Sequence, residues 1–149
     1  MIVVNCRFLT QPMTGVQRFA EEVVEALTQV REDLVLVAPQ GELRRTELGG
    51  VPVQQIGSAS GHRWEQLDLP RHVRSLGEDA LLLSLMNTGP AFLRRQVVTH
   101  HDVTYVRYPQ TYSRAFRVAY RLLSALTLRR AQRIVTVSEF SRSEIADVY

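Results

Sequence analysis

Short apolar runs that stop abruptly set the strongest limit on how this chain can fold. Leu34-Val35-Leu36-Val37-Ala38 and Ala80-Leu81-Leu82-Leu83-Ser84-Leu85 show no polar alternation. Such runs suit parallel strands, which helices cover on both faces. Val97-Val98-Thr99-His100-His101-Asp102 opens on β-branched residues and closes on ionisable ones. Ile2-Val3-Val4 starts a first strand over 2–9, ended by the loop Thr10-Gln11-Pro12. Val51–Ile56 reads as a strand whose Pro52 favours an edge position or a strand start. Arg133–Val137 gives a further strand.

Helical periods lie between these runs. Thr14-Gly15-Val16-Gln17 is a capping box, and Val16, Phe19, Ala20, Val23, Leu27 and Val30 follow at helical spacing. Gln17, Arg18, Glu21, Glu22, Glu25 and Gln29 take the other side. Gly41–Gly50 reads as a polar loop with room for a helical turn, and Tyr105–Thr111 shows no clear period. Trp64, Leu67, Leu69, Val73 and Leu76 predict a second helix with Pro70 near its first turns. Residues 111–132 contain neither Gly nor Pro and predict a long helix. Ser138 and Ser141 offer N-caps to a last helix, with Ser141–Glu144 as a second capping box. Strands alternating with helices predict an α/β fold: a Rossmann-like, doubly wound, mostly parallel sheet with helices on both faces. Residues 1–149 fit one domain. The last helix has no C-cap signal, so the expectation is a domain that continues beyond Tyr149 in the natural product.

Composition narrows the function classes. The chain is 45% hydrophobic and 22% charged, which excludes disorder. No apolar run approaches the roughly 18 residues of a membrane span, and the first residues lack the basic region of a secretion signal. A single cysteine, Cys6, excludes an internal disulfide and fits a reducing cytosol. Its place in strand one marks it as a core residue. The net charge of +3, without a recognition motif, speaks against nucleic acid. All 18 basic residues are arginine, which reflects either genomic bias or a need for planar, phosphate-matching forks. Arg114, Arg117 and Arg121 share one helix face at i, i+3 and i+7. Beside aromatics, that stripe suits either a solvated face or peripheral contact with a membrane or a phosphate-bearing acceptor.

Chemistry is expected where strands end. Ligands of a parallel sheet bind outside the carboxyl ends of its strands, which points to His101. Neighbouring strand residues face opposite sides, so His100 and His101 cannot share a metal; one faces a helix layer and the other the crevice. No other His or Cys spacing supports zinc, and no metal is expected. Gly15 precedes a helix start and either eases a turn or admits a phosphate to the backbone. The G-x-G-x-x-G fingerprint and the Walker lysine are both missing, which excludes an ordinary NAD site and a P-loop. Trp64 and Tyr120 read as packing residues.

Four motifs in order resemble the first half of a family 4 retaining glycosyltransferase of the two-domain GT-B fold. They are Asn5-x-Arg7 leading to Thr14-Gly15-Val16-Gln17-Arg18-Phe19; Trp64-Glu65-Gln66 with Leu69-Pro70; Val98-Thr99-His100-His101-Asp102; and Ala131 through Arg142 with Thr136-Val137-Ser138-Glu139-Phe140-Ser141. The resemblance implies transfer of a sugar from a nucleotide-activated donor to a glycan or glycolipid acceptor, as in bacterial polysaccharide or lipopolysaccharide synthesis. It assigns His101 as catalytic, touching the transferred sugar or the acceptor. Gly15 would approach the donor diphosphate and Gln17 the acceptor. Asn87 and Ser138 would bind substrate from loops at the same sheet edge, and Asp102 would either orient His101 or start the next loop. The implied location is cytoplasmic, with room for contact at the inner membrane face. The donor is a substrate, so no cofactor is expected. The family's donor-binding domain, with its paired glutamates, is absent from these residues, so this chain alone should not transfer sugar. A stand-alone, non-catalytic Rossmann-like binding module is the alternative.

Overall fold

The computed structural model describes every residue, Met1–Tyr149. Seven strands form one sheet: β1 (Ile2–Asn5), β2 (Leu34–Ala38), β3 (Glu47–Leu48), β4 (Val51–Gln55), β5 (Leu81–Ser84), β6 (Gln96–Thr99) and β7 (Arg133–Val135). The order is β3-β4-β2-β1-β5-β6-β7, and every pairing is parallel except β3 with β4. The helices are α1 (Gly15–Thr28), α2 (Gly61–Ser75), α3 (Thr104–Arg107), α4 (Arg114–Arg130) and α5 (Glu139–Val148).

Pleat alternation divides the core in two. Val4, Leu34, Leu36 and Ala38 pack on one face with Ala20 and Val24 of α1. Val3, Val37 and Leu82 pack on the other with Trp64, Leu69 and Val73 of α2. The sheet is therefore covered on both sides, as expected of a Rossmann-like, doubly wound sheet. The chain builds outward from β1 through β2 to β4, then crosses through α2 to β5 on the other side of β1. That reversal leaves a crevice between the carboxyl ends of β1 and β5, at Asn5 and Ser84.

Several elements depart from the sequence expectation, each for a local reason. The first strand stops at Asn5 rather than continuing to residue 9. The Asn5 side-chain oxygen accepts the Arg7 backbone N–H at 3.2 Å and turns the chain into a 3-10 turn over Arg7–Thr10. Cys6 thus lies just past the strand, fully buried, and burial pushes its thiol far above the ordinary range. Gly41–Gly50 holds no helical turn. Gly49 and Gly50, both at positive φ, close a tight hairpin between β3 and β4. The preceding residues lie on α1, so Glu21 is buried beneath Arg44, whose guanidinium sits 2.7 Å from its carboxylate. Gln17 is buried too, so neither belongs to a solvated face.

The second helix begins earlier than expected. The Asp68 carboxylate accepts the backbone N–H groups of Ser58 and Ala59, each at 2.9 Å, and a Cβ on Gly57 would collide with that carboxylate. This clamp fixes the approach to α2. It moves Pro70 to the helix interior and leaves Leu67 exposed. β6 ends at Thr99, although His100 still donates its N–H to Val135 at 2.8 Å. Within the stretch of unclear period lie α3 and a 3-10 turn over Pro109–Thr111. Ser138 caps α5 by accepting the Ser141 N–H, which puts Ser141 inside the helix and removes the second capping box.

Candidate functional site

The crevice between β1 and β5 holds a pocket of about 210 Å³. Arg7, Gln11, Gln17, His62, Asn87 and Tyr120 are among its walls. Its floor is a buried polar network. Glu65, on the second turn of α2, is 0% exposed. One carboxylate oxygen accepts from the Asn5 amide at 2.9 Å and from the Arg7 Nε at 3.3 Å. The other accepts from the Thr88 hydroxyl at 2.8 Å and meets His62 Nδ1 at 3.1 Å. Burial alone pushes this carboxyl up. The His62 hydrogen bond, the Arg7 charge and the Thr88 hydrogen bond outweigh it and hold the group below the ordinary glutamate value. Glu65 is therefore an anion with all its acceptor positions filled.

Asn87 joins the pocket to the end of β6. It adopts φ +45°, a left-handed conformation that asparagine tolerates better than most residues. In that pose its backbone carbonyl accepts from His100 Nδ1 at 2.9 Å, and its side-chain oxygen accepts the His101 N–H at 2.6 Å. One residue thus fixes both histidines.

The two histidines point to different places. His100 is fully buried, donating from Nδ1 to Asn87 and accepting the Tyr105 hydroxyl at Nε2 at 3.3 Å. Burial lowers its pKa against the opposing pull of the Asn87 carbonyl, so it is a neutral structural group. His101 is 8% exposed and packs edge-on against Phe19 of α1 at 5.0 Å. Its Nε2 lies 3.0 Å from the Leu85 carbonyl, which only accepts. The hydrogen therefore sits on Nε2, and in the neutral ring Nδ1 is an acceptor with no partner in the protein.

Of the remaining residues singled out in the sequence, Gln17 lines the pocket, and its amide nitrogen donates to Gln11 at 2.8 Å. Its other function is the capping box with Thr14. Gly15 opens α1 beside the pocket. A Cβ there would meet nothing within 4 Å, and the backbone is not left-handed, so neither packing nor conformation demands glycine. Asp102 does not orient His101. Its carboxylate accepts from the Thr104 N–H at 2.9 Å and hydroxyl at 2.7 Å, which starts α3. It lines a separate cavity of about 350 Å³ with Phe140 and Ser141. Ser138 is occupied as the cap of α5 and lies outside the crevice pocket. No three His, Cys, Asp or Glu side chains gather to hold a metal ion.

Sequence reasoning passed over Arg7, Glu65, His62 and Thr88 as site residues. The available signal was charge in the wrong place. Arg7 follows a buried strand directly, and Glu65 adjoins the core residue Trp64.

A sequence model described as Glycosyltransferase Family 4 matches residues 13–149. No curated protein and no solved structure gives a significant match.

Proposed function

The chain belongs to glycosyltransferase family 4, and from that premise we propose that these residues are the acceptor-binding half of a retaining hexosyltransferase. The donor is a nucleoside-diphosphate sugar and the acceptor a glycan or lipid-linked glycan of a bacterial surface polysaccharide pathway. One observation carries the reading: a pocket at the reversal point of the sheet, walled by the hydrogen-bonding side chains of Arg7, Gln11, Gln17, His62 and Asn87 and joined through Asn87 to His101. Sugars are recognised by such groups, because each hydroxyl both donates and accepts.

His101 offers Nδ1 to a hydroxyl of the transferred sugar or of the acceptor. Gln17 and Asn87 hold the acceptor ring. The open space at Gly15 admits the donor diphosphate to the start of α1, where free N–H groups and the helix dipole stabilise the charge of the departing nucleotide. The C1–O bond to the diphosphate breaks, the acceptor oxygen bonds to C1 on the same face, and the acceptor proton leaves with the nucleotide. The donor's nucleoside is held elsewhere, by a second domain.

No helix is long and apolar enough to cross a membrane. α4 exposes Phe116, Val118 and Leu122 together with Arg114 and Arg121, which suits shallow contact with an anionic inner membrane face and a cytoplasmic location. Arg117 is held in part by the Pro109 carbonyl at 3.1 Å.

The test is direct. The chain is incubated with UDP-glucose or GDP-mannose, and release of nucleoside diphosphate is followed. The half-enzyme reading predicts no release above the uncatalysed rate. Turnover by residues 1–149 alone would overturn it.

A further inference from the structure

Arg7 raises a question that the fold alone does not answer. A buried arginine is costly to desolvate, and a buried ion pair is a weak source of stability. Arg7 is 6% exposed, yet the protein uses only part of its guanidinium. Its Nε donates to Glu65 at 3.3 Å, and its Nη2 donates to Thr88 at 3.3 Å. Its Nη1 has no partner in the protein and is not sealed in the core, and the residue lines the crevice pocket. No aspartate or glutamate lines that pocket. The balancing carboxylate, Glu65, lies fully buried and saturated with donors, so a ligand meets the cation and not the anion. His62 turns Nδ1 towards Glu65 and adds no negative charge to the wall.

We infer that Arg7 selects an acceptor sugar carrying an oxyanion, a carboxylate or a phosphate, seated in the crevice pocket with that group on Nη1. This rests on the acceptor-site reading of the crevice. The Glu65–Thr88 pair locks the guanidinium plane, so the free edge is presented without further ordering. At about 210 Å³ the pocket is below the size of drug-binding cavities and suits one sugar unit. A charge-assisted hydrogen bond in this partly dry setting is worth at least about a tenfold preference in affinity.

The ¹⁵N-labelled chain is titrated with methyl glucuronoside, glucose 6-phosphate, methyl glucoside and UDP, following the Arg7 Nε–H signal and the side-chain amides of Gln17 and Asn87. The expected result is that the glucuronoside or the sugar phosphate binds at least about tenfold more tightly than the neutral glucoside and shifts the Arg7 signal. The tighter of the two identifies carboxylate or phosphate. In the double variant Arg7→Gln, Glu65→Gln, which removes both charges together, that preference disappears. If the double variant does not fold, the comparison of ligands on the unaltered chain decides the matter. Equal affinity for charged and neutral sugars at Gln17 and Asn87 overturns the inference and leaves the acceptor site standing. A shift of Arg7 by UDP alone assigns the anion to the donor and overturns it too. No response at Gln17 or Asn87 to any sugar removes both readings.

Discussion

The two sides of the sheet are built differently. On the side of β4, β2, β1 and β5, both faces carry dense cores around Val4, Leu36, Trp64 and Leu82. On the side of β6 and β7 the core is small, made of Val98, Val103, Leu128 and Ile145. There Ile134, Val135, Val137 and Phe140 are all exposed by more than 40%. The crevice pocket draws Arg7, Gln17 and Asn87 from elements packed on the dense side, and only Tyr120 of α4 from the other. A costly arrangement such as a buried ion pair and a left-handed asparagine persists where surrounding structure over-determines it. His101 stands on the boundary, fixed by Asn87 and Leu85 from one side and carried by β6 on the other.

The largest effect should come from breaking the network on the dense side. Glu65→Ala leaves the Arg7 charge buried without its partner, and urea denaturation should show a loss of about 3–5 kcal/mol. A loss under about 1 kcal/mol would mean that water already reaches the pair. Core truncation sharpens the contrast between the sides. Leu69→Ala should cost about 3–4 kcal/mol, and Leu128→Ala about 2 kcal/mol, because the smaller cluster collapses more easily around the gap. Equal costs would dissolve the distinction.

Acid should reveal both sides in turn. Burial lowers the His100 pKa below its ordinary 6.5, so the unfolded chain takes up a proton there first. Stability therefore declines as pH falls from about 6.5, and His100→Gln should abolish that limb. Glu65 is held below its ordinary 4.5, so its contribution is complete above that value and is lost as pH falls through its lower folded value. Equilibrium denaturation at stepped pH separates the two limbs. The smallest effect on folding should be Gly15→Ala. Nothing fills the space a methyl would enter, and alanine favours a helix, so stability should rise by about 0.5–1 kcal/mol. Loss of stability would show that glycine serves the fold rather than a ligand.

Much of this was legible in the residues. The continuous runs at Leu34 and Ala80 announced buried parallel strands, and Thr14 with Gln17 announced the start of α1. The family match agrees with the motifs at Gly15, Trp64, His101 and Ser138. What was not legible depended on contacts distant in sequence. Asn5, Glu65 and Thr88 meet only after α2 crosses the sheet, and Asn87 reaches His101 from 14 positions away. Ser138 and Asp102 carry local turn and capping signals, and in the structure they accept from Ser141 and Thr104. The Gly49-Gly50 hairpin is hidden within a polar stretch because its strand on one side is only two residues long.

The central claim is that the crevice between β1 and β5 seats a sugar. The most direct test maps chemical shifts on the ¹⁵N-labelled chain as methyl glycosides of glucose, mannose and glucuronic acid are added in turn. The account predicts changes at the Gln17 and Asn87 amides and the His101 backbone, with Thr104, Ser138 and Ser141 unmoved. Changes centred on Thr104, Ser138 and Ser141, with the crevice silent, would contradict it.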